Sequence, residues 1–252
     1  MKIQYASDLH LEFFQNKRWL KNNPLIPNGD ILILAGDTYH LGDNFQSLKI
    51  LESWSEQFEQ VYILPGNHEY YGGYDVATAH DPMELNLKPN IKIVNNLVIE
   101  YPEVRLIFCT LWSRILNNIP RILSSMMDFK KIRYEGETLS IANYNRLHDS
   151  AFSFLQSALN QASDKKTVVV THHLPSRFCN VEEFKNSKIN EGFCVDLTDF
   201  IKEAKVDHWI YGHSHRNKPS FKINSTQMIT NQLGYLSLNE LDAFDRGKYF
   251  EV

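Results

Sequence analysis

Val61-Tyr62-Ile63-Leu64-Pro65-Gly66-Asn67-His68-Glu69 is an apolar run, stopped by a Pro-Gly pair and followed by polar side chains that can bind metal. Four consecutive apolar residues read as a buried strand, and Pro with Gly ends it. In open α/β sheets, ligands collect outside the carboxyl ends of the strands. Asn67 and His68 are therefore expected in a loop where chemistry is done. A Gly-Asn turn beside a surface histidine is common, so the stretch decides little unless the chain repeats it.

The chain does repeat it. Lys2 to Ser7 runs into Asp8-Leu9-His10, and Ile31 to Ala35 into Gly36-Asp37. Thr167 to Val170 leads to Thr171-His172-His173, and His208 to Tyr211 to Gly212-His213-Ser214-His215. Any one of these could be a turn, a cap or a surface histidine. Their joint placement at five strand ends is hard to reconcile with chance. In extended backbone, residues i and i+2 share a side. Asp8 with His10, and His213 with His215, are then expected to converge, with Gly36, Gly66 and Gly212 allowing sharp turns beneath. Two carboxylates, several imidazoles and an Asn amide oxygen, without thiolate, suit Mn, Fe, Zn, Co or Ni better than Mg or Ca alone. The set is too large for one open-site ion. Two ions about 3.5–4 Å apart, sharing a carboxylate, would use it.

The remaining pattern is α/β. A short helix is expected around Trp19. Phe45, Leu48, Leu51, Trp54 and Phe58 recur at helical spacing, with Asp43 or Asn44 as N-cap. Residues 74 to 90 read as helix and loop. Ile91 to Val94, Leu97 to Tyr101 and Arg105 to Thr110 read as strands of a second, more antiparallel sheet. Residues 113 to 139 carry no firm assignment, with Met126, Met127 and Phe129 as candidate core. Ile141, Tyr144, Leu147, Ala151, Phe154, Leu155 and Ala158 make an amphipathic helix capped by Ser140. A polar loop to about Gly192 precedes a helix over Leu197 to Ala204. Ser220 to Ile223, Gln227 to Thr230 and Lys248 to Val252 read as closing strands. No linker or repeat divides residues 1–252, so a single domain is expected.

The chain has 252 residues, is 43% hydrophobic and carries a net charge of −4, which gives no global attraction to nucleic acid or anionic membrane. Cys109, Cys179 and Cys194 lack C-x-x-C spacing and read as buried thiols in a reducing compartment. No apolar run reaches membrane-spanning length, so a cytoplasmic protein without membrane contact is expected. The residues point to no oligomeric state.

Asp8-x-His10, Gly36-Asp37, Gly66-Asn67-His68-Glu69, a strand-end histidine and Gly212-His213-x-His215 resemble the five-block signature of the calcineurin-like metallophosphoesterase superfamily. Order and strand-end placement both match, over residues 8 to 215. The resemblance implies a four-layer α/β/β/α sandwich with two mixed β-sheets. It implies that Asp8, His10 and His215 hold one metal and that Asn67, His172 and His213 hold another. Asp37 would bridge them, and His68 would face the phosphate as a catalytic group. His172 and His173 compete for one ligand position, with His172 preferred. Thr110-Leu111-Trp112, Met127-Asp128, Leu147-His148, the stretch Val170 to Ser176 and the stretch Asn231 to Tyr235 look like a subgroup of bacterial predicted phosphoesterases. Trp112, His148, His173 and Asn231 are thus candidates for the substrate pocket or its support.

Two departures narrow the class. Gly36-Asp37 is followed by Thr38-Tyr39-His40-Leu41-Gly42, unlike the Gly-Asp-x-x-Asp-Arg-Gly block of protein Ser/Thr phosphatases. His40 stands where purple acid phosphatases place a metal-binding Tyr, and it becomes a candidate contact for His68, substrate or water. The expected activity is hydrolysis of a small phosphodiester or phosphomonoester by metal-activated hydroxide, with two divalent transition-metal ions, manganese foremost. A metal-dependent nuclease on short or single-stranded nucleic acid is the alternative, and the acidic balance argues against extended duplex. A non-catalytic scaffold of the same fold would have no use for both Asp37 and His68.

Overall fold

The computed structural model describes residues 1–42 and 45–252. In chain order the strands and helices are β1 (Lys2–Ala6), α1 (Phe14–Asn22), β2 (Ile31–Ala35), α2 (Ile50–Gln57), β3 (Gln60–Leu64), β4 (Met83–Lys88), β5 (Ile91–Asn95), β6 (Leu97–Glu100) and β7 (Val104–Phe108). Then come α3 (Ile119–Ser125), α4 (Asp128–Lys131), β8 (Arg133–Tyr134), β9 (Glu137–Thr138), α5 (Ile141–Asn160), β10 (Lys166–Val170), α6 (Thr198–Glu203), β11 (His208–Ile210), β12 (Phe221–Ile223), β13 (Thr226–Ile229) and β14 (Tyr249–Glu251).

Two six-stranded sheets form, in the orders β14-β1-β2-β3-β5-β4 and β12-β13-β11-β10-β7-β6. In both, four central strands run parallel and the two edge strands antiparallel. The second sheet is therefore no more antiparallel than the first. β5, expected in the second sheet, pairs with β3 and β4 in the first. The chain crosses between sheets at Asn96, whose φ of 49° is one that Asn tolerates. Residues 83 to 88, read as helix or loop, are an edge strand.

Strand periodicity sorts the core into layers. Ile3, Tyr5, Ile31, Ile33 and Leu64 of the first sheet meet Leu106, Phe108, Val168, Val170 and Ile210 of the second. The opposite face of the first sheet (Leu32, Leu34, Val61, Ile63) covers Leu20 of α1 and Leu51 and Trp54 of α2. The outer face of the second (Ile107, Val169, Trp209) packs on Ala151, Leu155 and Ala158 of α5. The result is the α/β/β/α sandwich. The Ser140 Oγ accepts the Asn143 N–H at 3.1 Å, a cap that contributes about 1 kcal/mol. α2 is shorter than its apolar spacing suggests, because Phe45–Ser47 forms a separate 3₁₀ turn. The N-cap expected at Asp43 or Asn44 lies outside the described residues.

A fourth cluster fills the unassigned stretch. Met126, Phe129, Ile122 and Tyr134 pack on Trp112, Tyr144 and Leu147. Met127 does not join them and stays 44% exposed. The parallel strands of both sheets end at the same edge, and the five strand-end loops meet there.

Candidate metal centre

The loops converge by a different backbone route from the one expected. Asp8, His10, Asp37, His213 and His215 have φ of 55°, 48°, 56°, 74° and 53°. They are left-handed, not extended, so the i, i+2 argument for their convergence does not apply. Strained conformations of this kind cost about 1–3 kcal/mol each, and Asp, Asn and His tolerate this one best. Hydrogen bonds hold the loops together: Asp8 N to Gly36 O at 3.0 Å, and His10 N to Asp37 O at 2.9 Å. Of the three glycines, Gly36 alone has a positive φ, at 93°. Gly66 serves a different end. A Cβ there would lie 2.3 Å from Asp37 Oδ1 and 2.6 Å from His172 Nε2.

Asp8, His10, Asp37 and His215 bring one donor atom each within 4.8 Å of one another, and so do Asp37, His172 and His213. Asp37 belongs to both sets. His10 Nε2 lies 2.9 Å from His215 Nε2 and 3.8 Å from Asp37 Oδ2. His215 Nε2 lies 3.4 Å from Asp8 Oδ1. His172 Nε2 lies 3.3 Å from Asp37 Oδ1 and 3.2 Å from Asn67 Oδ1. All seven side chains are buried.

The ring nitrogens that point away from the cluster have partners. His10 Nδ1 faces Glu12 Oε1 at 3.0 Å, His215 Nδ1 faces Glu240 Oε2 at 2.7 Å, and His172 Nδ1 donates to the Ala35 carbonyl at 2.9 Å. Such partners fix the proton on Nδ1 and turn the Nε2 lone pair inward, as metal-binding imidazoles require. Two Nε2 atoms facing each other at 2.9 Å, with carboxylates beside them, have the donor chemistry of an ion site. The residues fit divalent ions.

Electrostatics agree. Burial alone would lower the His172 and His215 imidazoles. The Asp37 carboxylate raises His172 to about 10, and hydrogen bonds donated to the Asp8 and Glu240 carboxylates raise His215 to about 9. His213, buried and beside His172, falls to about 3. Glu69 lies beneath, its carboxylate accepting the N–H groups of Asp37 (2.9 Å), Thr38 (2.7 Å) and Gly66 (2.7 Å). Burial, with the Asp37 charge added, pushes its carboxyl up to about 8.

His68 lies outside the two sets that share Asp37, but with His10 and Glu12 it makes a third whose donor atoms also lie within 4.8 Å of one another. The separation does not come from extended backbone, since Asn67 is αR (φ −77°, ψ −33°) and His68 opens a 3₁₀ turn. Its Nδ1 faces Glu12 Oε1 at 2.8 Å and its Nε2 faces the Tyr235 hydroxyl at 2.9 Å. Asn67 instead donates Nδ2 to Asp128 Oδ1 at 2.8 Å, which turns its amide oxygen toward His172. Tyr71 also hydrogen-bonds Asp128.

Of the His172–His173 pair, His172 reaches Asp37. His173 is fully buried against Trp112 and Tyr144, and its Nδ1 has no hydrogen-bond partner among the described residues. His40 lines the cavity in front of the centre, beside Tyr71. Trp112, His148 and Asn231 do not line it. Trp112 backs His173, and His148 Nδ1 hydrogen-bonds the Trp112 carbonyl at 2.5 Å. Asn231 donates to Tyr5 O and Asp245 O, fastening the C-terminal segment onto β1. Sequence reasoning missed Glu12, Tyr235 and Glu240. Glu12 had a signal, as the next member of the Asp8-x-His10 alternation. Glu240 had none.

Gly66→Ala is expected to remove activity by at least about 10²-fold, since displacing catalytic groups by 1 Å can cost that much. Metal content after Mn²⁺ reconstitution should fall in parallel. An active, metal-replete Gly66→Ala protein would show that the loop has room the distances deny.

The calcineurin-like phosphoesterase family profile matches residues 1–217. Uncharacterized protein L509 of Acanthamoeba polyphaga mimivirus is 29% identical, over 99% of this chain and 96% of that protein. The phosphopantetheinyl hydrolase of Mycobacterium tuberculosis has a similar fold, with a TM-score of 0.68 at 18% identity, over 93% of this chain and 89% of that one. The chain belongs to the calcineurin-like phosphoesterases and is a metal-dependent phosphoric ester hydrolase.

Proposed function

We propose that the protein hydrolyses a small-molecule phosphodiester with a pair of divalent ions, manganese foremost. Asp8, His10 and His215 would hold one ion, Asn67, His172 and His213 the other, and Asp37 would serve both. The observation that carries the reading is the place of Asp37 in both donor sets. Ions there would supply Lewis-acid neutralisation of phosphoryl oxygens and activation of water.

The chain's own residues supply the rest. Glu12 orients His68 through Nδ1, and Nε2 pairs with the Tyr235 hydroxyl at 2.9 Å, a place that a phosphoryl or leaving oxygen would take over when substrate binds. An imidazole in that place can protonate a departing alkoxide. A diester is favoured over a monoester because it carries one negative charge. Glu12, Asp37, Asp128 and Glu240 line the cavity, and Lys131 is the single Lys or Arg among its described lining residues. The same balance argues against duplex nucleic acid as a partner. Among the described residues no helix is long and apolar enough to cross a membrane, and three free cysteines fit a reducing compartment.

The test is reconstitution with Mn²⁺, elemental analysis, and matched aryl mono- and diesters. About two ions per chain and a higher kcat/KM on the diester are expected. One tightly held ion, with no second at high metal, would remove the paired-ion reading. A monoester preference would remove the diester.

A further inference from the structure

We propose that the cavity beside the metal centre is a subsite for the organic group esterified to the phosphate, and that this group is uncharged and largely apolar. The inference rests on the phosphoesterase reading for where the phosphate sits, and it specifies what lies beyond.

The cavity holds about 670 Å³, within the range of small-molecule sites. Its carboxylates lie on the metal side. The apolar lining is Phe13, Met126, Met127, Phe184, Ile189 and Phe193. It begins at the centre itself, where Phe193 stacks on His213 at 4.7 Å and Phe13 lies 5.9 Å from His10, and Met126, Met127, Phe184 and Ile189 continue it. A second phosphate or a nucleic-acid backbone needs clustered cations. Arg216, beside the cavity, is engaged by Glu183 at 2.6 Å and Glu240 at 3.3 Å, with its guanidinium over the Phe184 ring. Lys131 is the one Lys or Arg among the described lining residues, and a lone ammonium is not the cluster that a second phosphate needs.

The wall is already built. Leu116 N and Asn117 N both donate to Glu191 Oε2 at 2.6 Å, joining the two loop segments that form it. Met126 sits on Gly192 so closely that a Cβ there would lie 2.0 Å from its Sδ. Asn190 Nδ2 donates to the Phe184 carbonyl at 2.6 Å, and Asn180 Nδ2 to Asn190 Oδ1 at 3.0 Å. A ligand need not order this surface, which favours affinity. Phe13 and Met127 remain 41% and 44% exposed at the mouth. That is apolar area a ligand would remove from water.

The experiment compares 4-nitrophenyl phosphodiesters whose second ester is methyl, butyl, hexyl or octyl with the thymidine and thymidine-diphosphate counterparts, on the Mn²⁺-loaded protein. Calorimetry with methyl- and octylphosphonic acid, which carry no ester bond to hydrolyse, gives a second readout. A buried methylene is worth roughly threefold to fourfold. Octyl is therefore expected to exceed methyl by at least about tenfold, both in kcat/KM and in phosphonate affinity, with a more negative heat-capacity change. Met127→Glu should flatten the dependence on chain length in both readouts. Flat chain-length dependence in active protein, or a preference for the diphosphate, would overturn the subsite. Tighter octylphosphonate binding by a protein that hydrolyses no ester would uphold the subsite and defeat the phosphoesterase reading instead.

Discussion

Asp37→Asn is expected to lower turnover by about 10³-fold or more and to weaken retention of both ions. Its Oδ1 lies 3.3 Å from His172 Nε2 and its Oδ2 lies 3.8 Å from His10 Nε2, so one carboxylate serves both donor sets. An amide offers one neutral oxygen in place of a delocalised charge. It cannot offset the repulsion between two neighbouring cations. Several kcal/mol of charge stabilisation go with it, and each 1.36 kcal/mol is tenfold in rate. Asn accepts a φ of 56°, so the loop should keep its shape. Metal content by elemental analysis and turnover on one diester are measured together. Wild-type values for both would mean that Asp37 does not bridge.

His68→Ala separates binding from catalysis. His68 lies outside both donor sets that contain Asp37 and contacts Glu12 and Tyr235. The variant should keep about two ions per chain and lose about 10²–10⁴-fold in turnover on alkyl esters, the usual contribution of positioned acid catalysis. The loss should shrink for nitrophenyl esters, whose leaving group hardly needs a proton. His10→Asn and His213→Asn should lose metal first. An equal loss on every leaving group, or an emptied site, would remove the acid role.

The five strand ends were legible because each follows a run of apolar residues that must be buried. Burial fixes where a strand stops, and the polar residues just beyond inherit a place at the sheet edge. Local conformation was not legible. The i, i+2 rule holds for extended chain, and Asp8, His10, His213 and His215 are left-handed. Glu240 reaches His215 from a C-terminal loop with no periodic pattern, so no spacing could announce it. Asp128 and Tyr235 stood in stretches the resemblance had marked, without a role. Met83-Glu84-Leu85-Asn86-Leu87-Lys88 alternates strictly and was an available strand signal.

The left-handed residues also decide which substitutions are informative. At Asp8, His10, Asp37, His213 and His215, a β-branched replacement would meet backbone sterics before it met any question of chemistry. A Val or Thr scan of these positions would confound unfolding with loss of function. Alanine shares part of that penalty. Asn and Gly keep the dihedral angles within reach, so they are the replacements that report on the side chain alone. The loops are in this sense written twice, once for donor atoms and once for φ, and few residue types satisfy both scripts.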